Sequence, residues 1–349
     1  MSMLVPDFWA EGRAQSRTRQ RQITLRRFGW STTSQDDAQR MADERAQQAL
    51  DRALAGERQA RRDPRVPYNG AQGVPIREQV VSRHGEEVIT RNSYGALCLN
   101  TPRVLIADVD YGDLPRSDWF NFYLGLLLLL AAAGGATVVH YVTWHSGWSV
   151  QWNELQWQLL LMGGAFIGGG LGWALVEGIE LVRERFQRRS EARLPELAKQ
   201  RIDDFAAAHP DWGLRVYQTP AGLRLIATHR LFKPDEPAVA DFFSAVQADP
   251  VYVAMCRHQK CFRARLTGKP WRMGMDAHIR PRGAVWPVAP DRMAERDAWL
   301  AAYDARVPSF AACRFDKALG PPLMSLDVAP VVQLHDSAAQ ALKPDMPLA

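Results

Sequence analysis

Between residues 119 and 182 the short apolar and polar alternation found elsewhere in the chain gives way to two long apolar runs. The first is FNFYLGLLLLLAAAGGATVVHYVTW, and the second is WQLLLMGGAFIGGGLGWALVEGIELV. Each supplies the ~20 apolar residues that cross a bilayer core. Trp119, Trp144, Trp148, Trp152 and Trp157 stand at their ends, where amphipathic rings favour the membrane interface. The intervening HSGWSVQWNE has no Lys or Arg. VRERFQRRSEAR follows the second run, with Arg183, Arg185, Arg188, Arg189 and Arg193. The positive-inside rule therefore predicts a transmembrane hairpin with both chain ends in the cytoplasm of a bacterium, at its inner membrane.

Gly164, Gly168 and Gly172 recur every four residues, and Gly134 and Gly135 lie midway along the first run. Such small-residue stripes let helices approach closely in lipid. The stripe either closes the hairpin or pairs two copies as a homodimer. Glu177 and Glu180 read as an ion path or as interfacial partners of the following arginines.

Outside the hairpin the periodicity is that of a soluble α+β protein. SQDDAQRMADERAQQALDRALAGERQARR predicts an amphipathic helix over 34–62, with Ser34 as N-cap and Asp36 and Asp37 in its first turn. Its thin apolar stripe runs through Ala38, Met41, Ala42, Ala49, Ala53 and Leu54. That stripe either packs on the domain or pairs with a second copy. EEVITRNSYGALCLN predicts two short strands around a turn, and VLIADVD another strand.

After the hairpin come a helix (190–209), two strands joined by Pro220-Ala221, a helix (236–248) and a strand (262–268). With the hairpin removed, this is β-α-β-β-α-β, the split βαβ of a ferredoxin-like domain. The membrane hairpin would be an insertion after its first strand. The chain thus divides into a basic N-terminal arm (1–33) and the amphipathic helix (34–63). Next come a linker, β-hairpin and first core strand (64–118), then the transmembrane hairpin (119–182). The remaining cytoplasmic α+β domain (183–320) leads into a Pro-rich C-terminal tail (321–349) expected to wrap the domain and fray.

The net charge is +5, and of 43 basic residues only six are lysine. This mild basic bias suits nucleic acid or anionic lipid. The four cysteines are too sparse for a disulfide framework and point to a reducing compartment. Cys256-x4-Cys261 with His258 between them needs Cys98 and Cys313 as well to make a zinc site. P-loop, GxGxxG, HExxH and GxSxG motifs are absent, which removes several enzyme classes.

Two features carry candidate chemistry. Asp108 and Asp110 share one face at the end of the VLIADVD strand, because side chains alternate. They are either ligands for Mg²⁺ or Mn²⁺ bridging to substrate phosphate, with Asp113 as a third, or solvated loop carboxylates. His229 ends another strand, which also carries Arg224. In CRHQKCFRARLTGKPWRMGMDAHIRPR, the cations Arg257, Lys260, Arg263, Arg265, Lys269, Arg272, Arg280 and Arg282 accompany one acid, Asp276. Arg224, Arg263, Arg265, Lys269 and Arg272 are the candidate phosphate or nucleic-acid ligands, with Phe262 and Trp271 as stacking surfaces. Lipid headgroups and internal salt bridges are the competing uses of these cations.

Asp108-Val109-Asp110, Ala227-Thr228-His229 and Leu326-Asp327 resemble the three motifs of the archaeo-eukaryotic primase-polymerase superfamily. The resemblance implies metal binding by the aspartates and a nucleotide-phosphate contact by His229. The chain as a whole resembles bacterial two-span inner-membrane proteins. Two functions follow as expectations: metal-dependent nucleotide or nucleic-acid binding, with catalysis at His229 left open, or a non-catalytic membrane scaffold. A small transport component is a third.

Overall fold

The computed structural model describes residues 3–17, 22–63, 74–111, 118–146, 153–191, 193–276, 278–281 and 286–349. Asp113, Trp148, Trp152, Arg282 and most of the expected linker lie outside the described residues. So do the side chains of Trp119, Glu180, Arg183, Arg188 and Arg189. The chain forms two compact units, Met1–Tyr111 with Ala198–Ala349, and Gly112–Leu197.

The smaller unit holds helices α2 (Asp118–His145) and α3 (Glu154–Glu191). Within them, Gly125–His145 and Glu154–Ile179 are long and apolar enough to cross a membrane. The glycine stripe closes this pair. A Cβ on Gly135 would lie 2.2 Å from the Gly164 carbonyl oxygen, and one on Gly168 would lie 2.4 Å from that of Ala131. Gly164 meets Val139, and Gly172 meets Ala131, so the helices run antiparallel. Gly134, Gly163 and Gly170 lie off this seam, with open space before them. Away from the seam the apolar side chains are exposed, Phe166 by 84% and Leu129 by 69%. A soluble core helix would bury them.

In the larger unit, the segment expected to be a basic arm is a hairpin of β1 (Phe8–Arg17) and β2 (Gln22–Ser31). Helix α1 (Gln35–Leu54) lies on it, and the Ser34 side chain accepts from the Asp37 N–H as expected of an N-cap. Ala38, Ala42, Ala46, Ala49 and Ala53 recur at helical spacing and are buried. The alanine stripe therefore packs within the chain.

Two four-stranded antiparallel sheets form the rest. Strands β3 (Gln79–His84), β4 (Glu87–Arg91), β5 (Leu97–Thr101) and β9 (Phe262–Arg265) make one, in that order. The other has the order β10 (Arg314–Leu319), β7 (Leu214–Thr219), β8 (Gly222–Ala227) and β6 (Ile106–Asp110). Helices α4 (Leu194–Ala208), α5 (Pro237–Ala245), α6 (Pro250–Gln259), α7 (Met293–Asp304) and α8 (Ala329–Ala338) complete the chain. The expected β7–β8 hairpin is present, with Thr219 opposite Gly222.

Strands β6, β7 and β8 keep the order of a split βαβ, but β9 does not add to β6. It pairs with β5 instead. The cause is visible in α6, which the sequence reading missed. The Tyr252 hydroxyl stands between the two strands, donating to the Ile106 carbonyl (2.8 Å) and accepting from the Arg263 N–H (3.1 Å). One buried hydroxyl thus satisfies backbone groups that a direct ladder would have paired. The Pro-rich segment 321–349 does not fray. It contains α8, and Ala349 is fully buried.

Candidate functional site

The β6–β8 register places Asp108 opposite Arg224 and Asp110 opposite Gly222. Arg224 is 2% exposed and grips both Asp108 oxygens, through Nε at 2.8 Å and Nη2 at 3.3 Å. Its Nη1 donates to the Arg265 carbonyl at 2.8 Å. Burial pulls the Arg224 pKa down, but Asp108 and its other neighbours hold it above the ordinary value. Two carboxylates on one strand face repel each other unless a cation or proton intervenes, and for Asp108 the Arg224 guanidinium is that cation.

Asp110 has no such partner among the described residues. Burial first, then the Asp108 and Asp249 carboxylates, raise its pKa. Asp249 caps α6, its side chain accepting from the Val251 N–H at 2.8 Å. It enters the site from a helix that the sequence reading did not predict, although Asp-Pro before an apolar run is a helix-start signal.

These residues line one side of a cleft of about 320 Å³. Its other side is formed by Arg265 at the end of β9 and by Lys269 and Arg272 in the segment that follows, with Tyr94 from the β4–β5 turn. Seven of the eight sequence candidates therefore converge: Asp108, Asp110, Arg224, Arg263, Arg265, Lys269 and Arg272. They differ in what they are free to do. Arg263 is buried and held by Glu78 at 2.6 Å and Asn100 at 3.0 Å. Arg265 donates to the Thr267 carbonyl and to a main-chain oxygen of Ala349, which position it. The side chains of Lys269 and Arg272 make no hydrogen bond or ion pair among the described residues; Lys269 lies 5.6 Å from the Trp271 ring centroid. Burial, then Arg265 and Arg272, lower the Lys269 pKa, and burial, then Arg265, lower that of Arg272.

The segment that presents them is fixed from behind. Pro270–Met273 is a 3₁₀ turn whose Met273 is buried in a cluster with Trp299 and Tyr303 of α7. The Tyr303 hydroxyl donates to the Gly268 carbonyl at 2.7 Å, and Arg306 donates to the carbonyls of Met273 and Gly274. Opposite, Asn92 Oδ1 accepts from the Tyr94 and Ala96 N–H groups and shapes the turn. Burial, then Cys98, raise the Tyr94 pKa to about 12, so its hydroxyl remains a donor at neutral pH.

His229 is not in the cleft. Because β6 and β8 are antiparallel, the C-terminal end of β8 lies beside the start of β6, away from Asp110. His229 Nδ1 accepts from the Gly213 N–H at 3.2 Å, and its ring packs on Trp212 and Phe232. Burial lowers its pKa first. Leu326-Asp327 also lies at that end, since the neighbouring Ser325 N–H donates to Thr228. The three motifs that resemble the primase-polymerase superfamily therefore do not meet. Phe262 is fully buried and offers no stacking face. All four cysteines are buried and free. Among the described residues no group of three His, Cys, Asp or Glu is placed to hold a metal ion.

Behind Arg224 lies a cluster the sequence did not reveal. His335 Nδ1 is 2.9 Å from Asp336, and its Nε2 is 3.4 Å from Arg224 and 3.7 Å from Cys313. The order Cys–His–Asp is that of a nucleophile triad, but Cys313 and His335 are both fully buried. Burial raises the thiol's pKa to about 11, and a buried neutral thiol is inert. Two larger cavities, of about 810 and 540 Å³, line up less charge in need of a ligand. Arg215 in the first pairs with Asp336, and Arg103 and Lys260 in the second pair with Glu87 and Asp235.

Comparison with protein-family models, curated proteins and solved structures finds no match to this chain.

Proposed function

We propose that this is a membrane-anchored protein whose α+β unit binds a phosphate-bearing small molecule in the cleft between Asp110 and the Lys269–Arg272 turn. One observation carries the reading: Lys269 and Arg272 line a cleft beside Arg265, and neither side chain makes a hydrogen bond or ion pair among the described residues. Concentrated cations on a fixed turn cost little reorganisation when an anion arrives. Arginine adds bidentate geometry suited to phosphate. The volume, about 320 Å³, is at the lower end of small-ligand sites and favours a small phosphate compound over a duplex.

A divalent cation such as Mg²⁺ or Mn²⁺ would enter with the ligand. Asp110 and the phosphate oxygens would hold it, because Mg²⁺ is usually bound by one or two carboxylates plus substrate. Asp108 is already held by Arg224. The reading uses neither His229 nor Asp327.

The test is calorimetric titration of the detergent-solubilised full chain with pyrophosphate, with and without Mg²⁺. Each charge-assisted contact contributes ~1.5–3 kcal/mol, so Lys269→Ala or Arg272→Ala should weaken binding by on the order of tenfold or more. Asp110→Asn should strengthen metal-free binding and remove any gain from Mg²⁺. Absence of binding to the native chain, or equal binding by the double variant Lys269→Ala/Arg272→Ala, would sink the proposal.

The orientation belongs to the same reading. The arginine-rich end of α3 favours the cytoplasmic side of a bacterial inner membrane for both soluble ends. The turn between the helices would then face outward. Because the native cysteines are buried, an Asn153→Cys variant should react with an impermeant maleimide added outside intact cells. Labelling only after lysis would reverse the topology.

A further inference from the structure

We infer that the ligand of this cleft is a mononucleotide, its phosphates on Lys269, Arg272 and Arg265 and its base stacked on Trp271. The inference rests on the phosphate reading above and adds the chemical class. It starts from Trp271, a large aromatic residue left 51% exposed between two residues of the turn that line the cleft, Lys269 and Arg272. Trp271 lies between Pro270, which is buried, and Arg272, which lines the cleft. Folding alone gives no reason for an open indole at that position, since its neighbours Pro270 and Met273 already anchor the turn.

The ring is held in place. Tyr94, itself part of the cleft wall, meets Trp271 edge-on with centroids 5.5 Å apart and an interplanar angle of 61°. An edge-to-face partner helps to fix an aromatic side chain, and Lys269 Nζ lies 5.6 Å from the same ring's centroid, so the indole and the phosphate-binding cation adjoin. The turn thus presents a flat apolar surface and two phosphate-binding cations within four residues, Lys269 to Arg272. A ligand that uses both must carry a planar ring and an anion a short distance apart.

Other phosphate sources lack one of these parts. A lipid headgroup brings acyl chains instead of a planar ring, and the ring of a sugar phosphate is saturated and not planar. A nucleic-acid strand calls for a basic groove with successive stacking aromatics. Phe262, the other aromatic of this strip, is fully buried. Asp110 and Asp249 on the facing wall would repel a continuous phosphate backbone. They would tolerate a single phosphate group accompanied by Mg²⁺.

The experiment compares the affinities of pyrophosphate, ribose 5-phosphate, ADP, UDP and a ten-nucleotide single strand for the full chain in detergent. Base–aromatic stacking should make ADP about 5- to 150-fold tighter than pyrophosphate. UDP should fall between them, because a pyrimidine covers less of the indole. Trp271→Ala should lower ADP affinity by more than pyrophosphate affinity and so erase the nucleotide advantage, and Trp271→Phe should restore part of it. Equal affinity for pyrophosphate and ADP would overturn the nucleotide inference and leave the phosphate site standing. So would a nucleotide advantage that survives Trp271→Ala, or an oligonucleotide binding more tightly than ADP. No binding by any of these ligands would remove both readings.

Discussion

Arg263→Ala is expected to cost about 3–5 kcal/mol of stability, the loss typical of stranding a buried charge. Arg263 was one of the basic residues that the sequence assigned to an external anion. In the fold its Nη2 donates to both Glu78 oxygens, at 2.8 and 2.6 Å, and its Nη1 to Asn100 at 3.0 Å. Glu78 is 2% exposed, and its remaining partner is the Thr90 hydroxyl at 2.6 Å. Removing the guanidinium leaves that carboxylate in a low-dielectric interior without its charge partner. Glu78→Leu alone should be comparably damaging, because it strands Arg263. The double variant Glu78→Leu/Arg263→Met should recover most of the loss, since an apolar pair of similar volume needs no desolvated charges. Denaturant midpoints of the full chain in detergent measure all three. A loss below about 1 kcal/mol, together with abolished pyrophosphate binding, would instead make Arg263 a ligand contact.

The contrast between Arg263 and Arg272 shows how far the sequence could be read. Both belong to one basic strip, and residue type alone does not distinguish them. Arg263 turns inward because its partner Glu78 lies 185 residues earlier in the chain, beyond any local pattern. The apolar hairpin was legible because spanning a bilayer is a matter of length and composition. The β7–β8 hairpin was legible because two alternating runs flank a two-residue turn. His229 was misplaced by direction. Both strands end in polar residues, but antiparallel neighbours carry their C-terminal ends to opposite edges. Five residues from Arg224 to His229 span roughly 16 Å at ~3.3 Å each. Strand β9 was misassigned because a hydroxyl from an unpredicted helix, Tyr252, replaced the expected β6–β9 ladder. The cationic half of the cleft survived these errors, because Arg265, Lys269 and Arg272 sit on one short local segment.

Gly12→Ala and Gly29→Ala should each loosen the N-terminal hairpin from α1 by about 1–3 kcal/mol, toward the upper end because the obstacle is backbone. The β1–β2 hairpin escaped sequence reading for the reason that makes it stable. Its inward positions on β1 are Ala10, Gly12 and Ala14, opposite Gly29, Arg27 and Leu25 on β2, so that small residues and an arginine mask the apolar alternation. Small residues are required there because α1 lies almost on the strands. A Cβ on Gly12 would come within 2.3 Å of the Ala42 carbonyl, and one on Gly29 within 2.2 Å of the Ala38 carbonyl oxygen. No rotamer change relieves a clash with helix backbone, so the whole helix must lift. Lifting it opens the alanine face, whose Ala38, Ala42 and Ala46 are fully buried, and lengthens many weak contacts together. Hydrogen exchange should report the change as about 5- to 150-fold faster opening of the α1 amides, with the β6–β8 amides unaffected. Unaltered exchange in α1 would mean that the helix does not depend on this close approach. Equal acceleration in β6–β8 would mean that the hairpin and the central sheet unfold as one unit. The distinction matters for the cleft: Arg77 lies over both Trp9 and Phe28 and opens the segment that carries Glu78 to the Arg263 pair. If the hairpin opens alone, pyrophosphate binding should survive both glycine variants.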